Sequence, residues 1–300
     1  MAPRGLLALL AVLTGCTADL GVSRQPIVGG DLDTGDPAIV LFLAQEPTTQ
    51  LASICTATLI SPHVVLTAAH CVIPDAVGAN TQFTVFTGTD VDTGRPSEFV
   101  SVKSTHAHPD FSLRDVLSGG DIAVGILANA LSPTPIPMNR APITDAFPGQ
   151  PVRMVGYGKT SASDPTGATA GTKRQASTPL ISYTDKLLHV GTAGDTTCEG
   201  DSGGPGLMTI GGVEAIVGVV SFGDPDCSML AVDTRVDVYA DDWVWPYVDD
   251  ADPGFLSPPP GGRGGCAVAS PGGPRAAWLG LLIVFVLLAR QAPRRRQRLR

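Results

Sequence analysis

The body of this chain reads as all-β, a set of antiparallel strands closed or sandwiched on themselves, and three observations lead there. Gly 35 and Pro 26 make up about a fifth of the 300 residues, a density that demands many turns. Hydrophobic residues are 43% and charged ones 16%, which supplies a core and argues against a disordered chain. The apolar runs are short, and few stretches keep a 3.6-residue period for three turns.

The strand candidates follow in order. Residues 39–43 and 63–66 are apolar runs rich in Val, Leu and Ile, and 83–86 and 99–102 mix aromatic and β-branched residues. Further runs occupy 122–127, 152–155, 187–190 and 215–220, and clusters of Gly, Pro, Asp, Ser and Thr separate them as turns require. Pro133-Thr-Pro-Ile-Pro137 marks a crossing between two halves. Residues 237–248 are the best helix candidate, with Val238, Trp243 and Val244 as packing residues and Pro246 limiting its regularity. No repeat or low-complexity linker interrupts 27–250.

The net charge of −8 is unevenly spread. Residues 27–250 hold 10 Lys and Arg against 26 Asp and Glu, a balance of −16, whereas 290–300 hold six Arg and no acid. Phosphates would be repelled by such a body, so nucleic acid is excluded as a partner.

Both ends read as addresses. Arg4, the apolar stretch 5–13 and Leu13-Thr-Gly-Cys16 form a secretory signal over 1–16, and its ending resembles a bacterial lipobox in which Cys16 takes a lipid. Residues 17–26 are a short propeptide or linker, and 27–250 are the working domain. A Pro/Gly-rich linker fills 251–275 and contains Gly-Gly-Cys266. The final segment, 276–300, pairs an apolar stretch with the Arg cluster. Its 14 apolar residues, 276–289, reach about 21 Å as a helix, short of a bilayer core of about 30 Å. This order of motif, apolar helix and Arg cluster resembles a myxobacterial-type sorting tail processed at Cys266; a short retained anchor is the plain alternative. A signal peptidase and a sorting enzyme are the partners these ends imply, with the protein exported to a bacterial cell envelope or outer surface.

Of six Cys, Cys16 and Cys266 belong to the address segments, which leaves Cys55, Cys71, Cys198 and Cys227 for two disulfides with three possible connectivities. None of the four has CxxC spacing, so no zinc site is expected.

Three strings carry chemistry: Leu66-Thr-Ala-Ala-His70-Cys71, Gly120-Asp121-Ile122-Ala123-Val124 and Cys198-Glu-Gly-Asp-Ser202-Gly-Gly-Pro205. Hydrolysis by a serine needs a base for its proton, a carboxylate to hold that base, and N–H donors for the oxyanion. His70, Asp121 and Ser202 supply the first set, and Gly200 and Gly203 free the backbone so that the N–H groups of Gly200 and Ser202 point at one spot. Taken singly, each string is equally a core His, a turn Asp or a Gly-rich loop. His106-Ala-His108 also invites a metal reading, but only Asp110 stands near as a third ligand; these His, with His63 and His189, are expected to be ordinary strand or loop residues, with no metal or cofactor.

Together the three strings resemble the trypsin and chymotrypsin family of serine endopeptidases. Ile27-Val-Gly-Gly30 as a mature start, Gly156-Tyr157-Gly158 in place of Gly-Trp-Gly, and Ser221-Phe222-Gly223 in place of Ser-Trp-Gly extend the likeness over about 27–248. The resemblance implies two six-stranded antiparallel Greek-key β-barrels with the site in the cleft between them, a short C-terminal helix, a monomer, and a protein or peptide substrate. It implies the pairings Cys55–Cys71 and Cys198–Cys227. It implies that Ser202 attacks, His70 is base and then acid, Asp121 orients His70, Gly200 and Ser202 form the oxyanion hole, Ser221 supports Asp121, and Gly223 bonds an extended substrate strand.

The pocket floor, six residues before the nucleophile, falls on Thr196. With Phe222, Gly223 and Ala231 around it, an apolar or medium-sized P1 residue is expected; Asp195, Asp224 and Asp226 keep an Arg- or Lys-directed alternative open. Glu199 at the rim is expected to disfavour acidic substrates. Activation in the family frees an α-amino group at the Ile27 position, which pairs with Asp201. Here Gln25-Pro26 separates Arg24 from Ile27, so another activating peptidase, a trimming step, or an unused pairing must account for the start. A non-catalytic surface-binding protein on the same fold is the rival reading, and it would show the loss of a triad or oxyanion residue.

Overall fold

A computed structural model of the chain describes residues 27–28, 30–48 and 51–256. The lipobox with Cys16, the propeptide, the Cys266 motif, the apolar run 276–289 and the Arg cluster lie outside the described residues. Among the described residues no helix is long and apolar enough to cross a membrane.

Strand β1 (Asp31–Leu32) precedes six strands: β2 (Ile39–Glu46), β3 (Leu51–Ser61), β4 (Val64–Thr67), β5 (Gln82–Phe86), β6 (Phe99–Ala107) and β7 (Ala123–Leu127). These six close as an antiparallel barrel in the order β2-β3-β4-β7-β6-β5, with β5 pairing back to β2. Val40, Phe42, Leu59, Val65, Val85 and Val124 are among its fully buried residues. The second barrel uses β8 (Pro151–Gly156), β9 (Arg174–Tyr183), β10 (Leu187–Val190), β11 (Pro205–Ile210), β12 (Val213–Gly223) and β13 (Ala231–Arg235). Its order is β8-β9-β10-β13-β12-β11, closed by β11 on β8, and β1 adds to β9. Val152, Met154, Leu180, Leu188, Met208 and Val217 form its core. Closure gives each barrel strand a neighbour on both sides, which is how a turn-rich chain with few helices limits exposed ladders.

The crossing at 133–137 is where the sequence places it. Ile136 N donates to Leu59 O of the first barrel at 3.0 Å, while Pro137 O accepts from Ile216 N of the second at 2.9 Å. Tyr157 also joins the barrels: fully buried with Leu41 and Phe86, it donates its hydroxyl to Gly88 O at 2.7 Å.

The terminal helix departs from expectation. A π-helical turn, Ala240–Val244, runs into α1 (Trp245–Ala251), so helical backbone begins later than 237 and ends later than 248. Pro246 follows closely on that turn, and because it has no N–H to give to the carbonyls one turn back, the stretch is irregular there, as the sequence predicts. Val238 is 37% exposed, and Val244 and Val248 pack into the first-barrel core in its stead. His63 fixes the helix end: its Nδ1 lies 2.6 Å from Asp252 Oδ1, and its N donates to Oδ2 at 2.8 Å.

Candidate active site

Strand register brings two of the motifs together. Thr67 pairs with Ala123 across β4 and β7, and His70 lies three residues after the one while Asp121 lies two before the other. His70 occupies a 3-10 turn, Ala69–Cys71. Its backbone N donates to Asp121 Oδ1 at 2.9 Å, and its Nδ1 lies 2.7 Å from Oδ2. Ser221 of β12 donates its hydroxyl to the same Oδ2 at 2.5 Å, so both barrels hold this carboxylate. Asp121 is 1% exposed and His70 24%, which leaves the imidazole accessible and its orienting acid in the interior.

Ser202 stands in the turn before β11. Its carbonyl accepts from Thr56 N of β3 at 2.8 Å, and Cys71 Sγ, next to His70, lies 3.8 Å from that oxygen. The disulfides Cys55–Cys71 and Cys198–Cys227 brace the His70 turn and the loop before Ser202. In that loop Gly200 has φ +100 and Gly203 φ +82, backbone conformations that L side chains avoid. A Cβ on Gly203 would also meet Thr67 Oγ1 at 2.1 Å. Neighbouring peptide groups are engaged: Asp201 N donates to Cys198 O, Gly203 N to Val220 O and Gly204 N to Asp201 O. Among the described residues, the N–H groups of Gly200 and Ser202 donate to no protein acceptor.

Asp201 is fully buried, with Gly158 N donating to Oδ1 at 2.7 Å and Cys198 N to Oδ2 at 2.9 Å. Burial pushes its carboxyl up to about 7 against the lowering effect of those two donors. Ile27 is 1% exposed within the second-barrel core, and Val28 N donates to Thr196 O at 3.1 Å.

A cavity of about 180 Å³ beside Ser202 is lined by Thr197, Cys198, Val220, Phe222 and Gly223, with Asp224 at its edge. Thr196, Ser221 and Ala231 are buried and do not line it. The Asp224 carboxylate turns into its own loop, where Ser228 N, Ser228 Oγ, Met229 N and Leu230 N donate to it. Burial raises its pKa, but those donors outweigh burial and hold the group well below the usual carboxylate range. Asp195 closes a turn with Thr192. Glu199 also lines the cavity beside Ser202, and its exposed carboxylate pairs with Lys159 Nζ.

His106 stacks on Tyr247 with centroids 4.6 Å apart, and His108 meets Tyr239 and Trp243 edge-on at 4.8 and 5.1 Å. Both imidazoles are therefore packing groups beneath the terminal helix. Sequence reasoning missed Thr56, which reaches the Ser202 loop from the other barrel, and Lys159. It also missed a groove of about 500 Å³ lined by Leu41, Leu43, Ile54, Lys159 and Gly200. No local spacing announces any of them, because their partners lie far along the chain.

Comparison with known proteins agrees with this geometry. The trypsin family model matches residues 30–244. Tryptase of Mus musculus is 28% identical over 281 residues, covering 81% of this chain and 96% of that protein. Trypsin of Saccharopolyspora erythraea is 27% identical over 212 residues, covering 66% and 87%, and chymotrypsin-like elastase family member 1 of Bos taurus is 30% identical over 213, covering 63% and 77%. Because the family match spans well over half of the chain, on two barrels that meet at His70, Asp121 and Ser202, the chain belongs to the trypsin family and is a trypsin-like serine endopeptidase.

Proposed function

We propose that this endopeptidase cuts peptide bonds through Ser202, His70 and Asp121, by way of an acyl-enzyme. The observation that carries the reading is the Asp121 carboxylate, buried and held by His70 N, His70 Nδ1 and Ser221 Oγ. A His donating Nδ1–H to that acid presents Nε2 as the base. Ser202 Oγ gives its proton to Nε2 and bonds to the substrate carbonyl carbon. The carbonyl oxygen becomes an oxyanion met by Gly200 N–H and Ser202 N–H, and the amine leaves with the proton from His70. Water then repeats the sequence on the ester and restores Ser202. Labelling by a fluorophosphonate tests the assignment: Ser202→Ala should abolish labelling and hydrolysis and keep the fold, and hydrolysis undiminished in that variant defeats it.

For P1 we infer an apolar or medium-sized residue. Support comes from the small volume of the cavity beside Ser202 and from the engagement of its two lining acids elsewhere, Asp224 with its own loop and Glu199 with Lys159. On matched peptide anilides, Leu or Phe at P1 should exceed Arg in kcat/KM; a strong preference for Arg overturns this choice and favours the Arg- or Lys-directed reading.

Activation by a cut before Ile27, export, lipid attachment at Cys16 and sorting at Cys266 complete the reading. A cut at Ile27 separates the domain from any lipid on Cys16, so the C-terminal tail alone would hold the mature enzyme at a bacterial outer surface.

A further inference from the structure

Thr56 has no counterpart among the motifs that mark the site, yet it reaches the Ser202 loop from the first barrel through both its backbone and its side chain. It is fully buried on β3, opposite Leu41 of β2. Its hydroxyl donates to Gly200 O at 3.0 Å and accepts from Tyr157 N at 3.1 Å. Its backbone N donates to Ser202 O at 2.8 Å. Thr67 Oγ1, in turn, donates to the Thr56 carbonyl at 2.9 Å. The hydroxyl has a single proton, and that proton goes to Gly200. A β-branched side chain in a strand is restricted at χ1, so β3 itself aims this hydroxyl across the cleft.

The peptide group it holds is a strategic one. The 199–200 peptide, which carries Gly200 N–H, is fixed by Lys159 N donating to Glu199 O at 2.9 Å. The 201–202 peptide, which carries Ser202 N–H, is fixed by Gly204 N donating to Asp201 O at 2.9 Å. Between them lies the 200–201 peptide, whose carbonyl is the one bonded to Thr56 Oγ1. This link follows a glycine at φ +100, the most permissive backbone in the loop, and it sets the angle between the two donor N–H groups. The bond from Tyr157 N places the same hydroxyl beside Gly158, whose N–H holds Asp201.

We propose that the Thr56 hydroxyl is a positioning group that pins the 200–201 peptide from across the cleft and so keeps the Gly200 and Ser202 N–H groups convergent on the oxyanion. The proposal rests on the Ser202 peptidase reading above. Its role belongs to the transition state, since the N–H groups are needed most when charge develops on the carbonyl oxygen.

The test compares wild type with Thr56→Val, which removes the hydroxyl at nearly constant shape, and Thr56→Ser, which keeps it. All are assayed on the best of the Arg, Phe and Leu peptide anilides and on a fluorophosphonate. In Thr56→Val, kcat should fall about 10- to 100-fold, the scale of a misplaced catalytic group, with KM changed less than about threefold. The phosphonylation rate should fall in parallel, and affinity for a peptide aldehyde should weaken by the factor lost in kcat/KM. Thr56→Ser should restore kcat to within about threefold of wild type. Unchanged kcat in Thr56→Val, a loss confined to KM, or an equal loss in Thr56→Ser overturns the proposal. If Thr56→Val does not fold, Thr56→Ala carries the same comparison; failure of both to fold while Thr56→Ser folds makes Thr56 a folding residue and also overturns it. Wild-type protein that neither takes the probe nor cleaves any anilide defeats the peptidase reading itself, before a Thr56 variant is made.

Discussion

At the scale of single residues, Asp233 is a costly side chain outside the catalytic centre. It sits on β13, opposite Val220 of β12 and Leu188 of β10, with no exposure and, among the described residues, no hydrogen-bond partner on either oxygen. Space for it comes from two glycines, since a Cβ on Gly206 or Gly218 would lie 2.5 or 2.8 Å from its Oδ2. Burial alone pushes its carboxyl from 3.8 up to about 7. The native state therefore keeps a proton that the unfolded chain releases between these values. Its contribution to stability is fully present below pH 3.8, is lost as pH rises through about 7, and is flat beyond. Asp233→Asn is neutral at every pH and similar in shape. It should exceed wild type in unfolding free energy by up to about 4 kcal/mol at pH 8, with the gain shrinking toward zero at pH 4. Urea titrations of both proteins at the two pH values measure the difference, and a gain independent of pH would rule out the titration of Asp233 as its source.

At the scale of elements, what could be read from the chain followed apolarity. The eight runs chosen in the sequence fall on β2, β4, β5, β6, β7, β8, β10 and β12, whose cores are Val, Ile, Leu and Phe. The missed strands are those with polar or turn-forming residues. Strand β9 opens Arg-Gln-Ala-Ser-Thr-Pro, and its buried positions Ala176, Thr178 and Leu180 alternate in a way that its polarity hides. Strand β11 begins Pro-Gly and merges with the Ser202 motif, while β13 buries Asp, Thr and Arg that sequence reasoning assigns to the surface. Tertiary pairing, rather than local preference, makes these segments strands. The site was more legible than the fold, because His70, Asp121 and Ser202 each sit inside a short string with its own spacing. Thr56 was not, because its hydroxyl bonds are made to residues 144 and 101 positions away. Pro246 was read correctly as limiting the regularity of the terminal helix, which is π-helical over Ala240–Val244 and regular only from Trp245.

At the scale of the whole molecule, the segments between Ile27 and β2 tie the two barrels together, so the proposed cut before Ile27 would act on both. Ile27 is inside the second-barrel core, Val28 pairs with Thr196, and β1 lies along β9. Lys173, 2% exposed, then donates to Asp36 O at 2.6 Å and Ile39 O at 3.0 Å, at the start of the first barrel. Arg153 bonds both Asp36 and Glu214 across the same junction. A chain cut just before Ile27 therefore keeps its new terminus held inside the second barrel. Asp201, pushed to about 7 by burial and offered only two backbone N–H groups, is the acid that an α-ammonium there would stabilise. Pairing would lower its pKa and keep it ionised at neutral pH. Active protein should consequently begin Ile-Val-Gly-Gly on N-terminal sequencing and exceed the uncut chain in kcat/KM. Its activity should decline as pH rises past the α-amino pKa of about 8, where the ammonium is lost. Acetylation of that terminus should reproduce the decline at pH 7. Full activity in an uncut chain, with no alkaline loss, would mean that the bonds from Gly158, Cys198 and Thr56 suffice to order the Ser202 loop and that the pairing is not used.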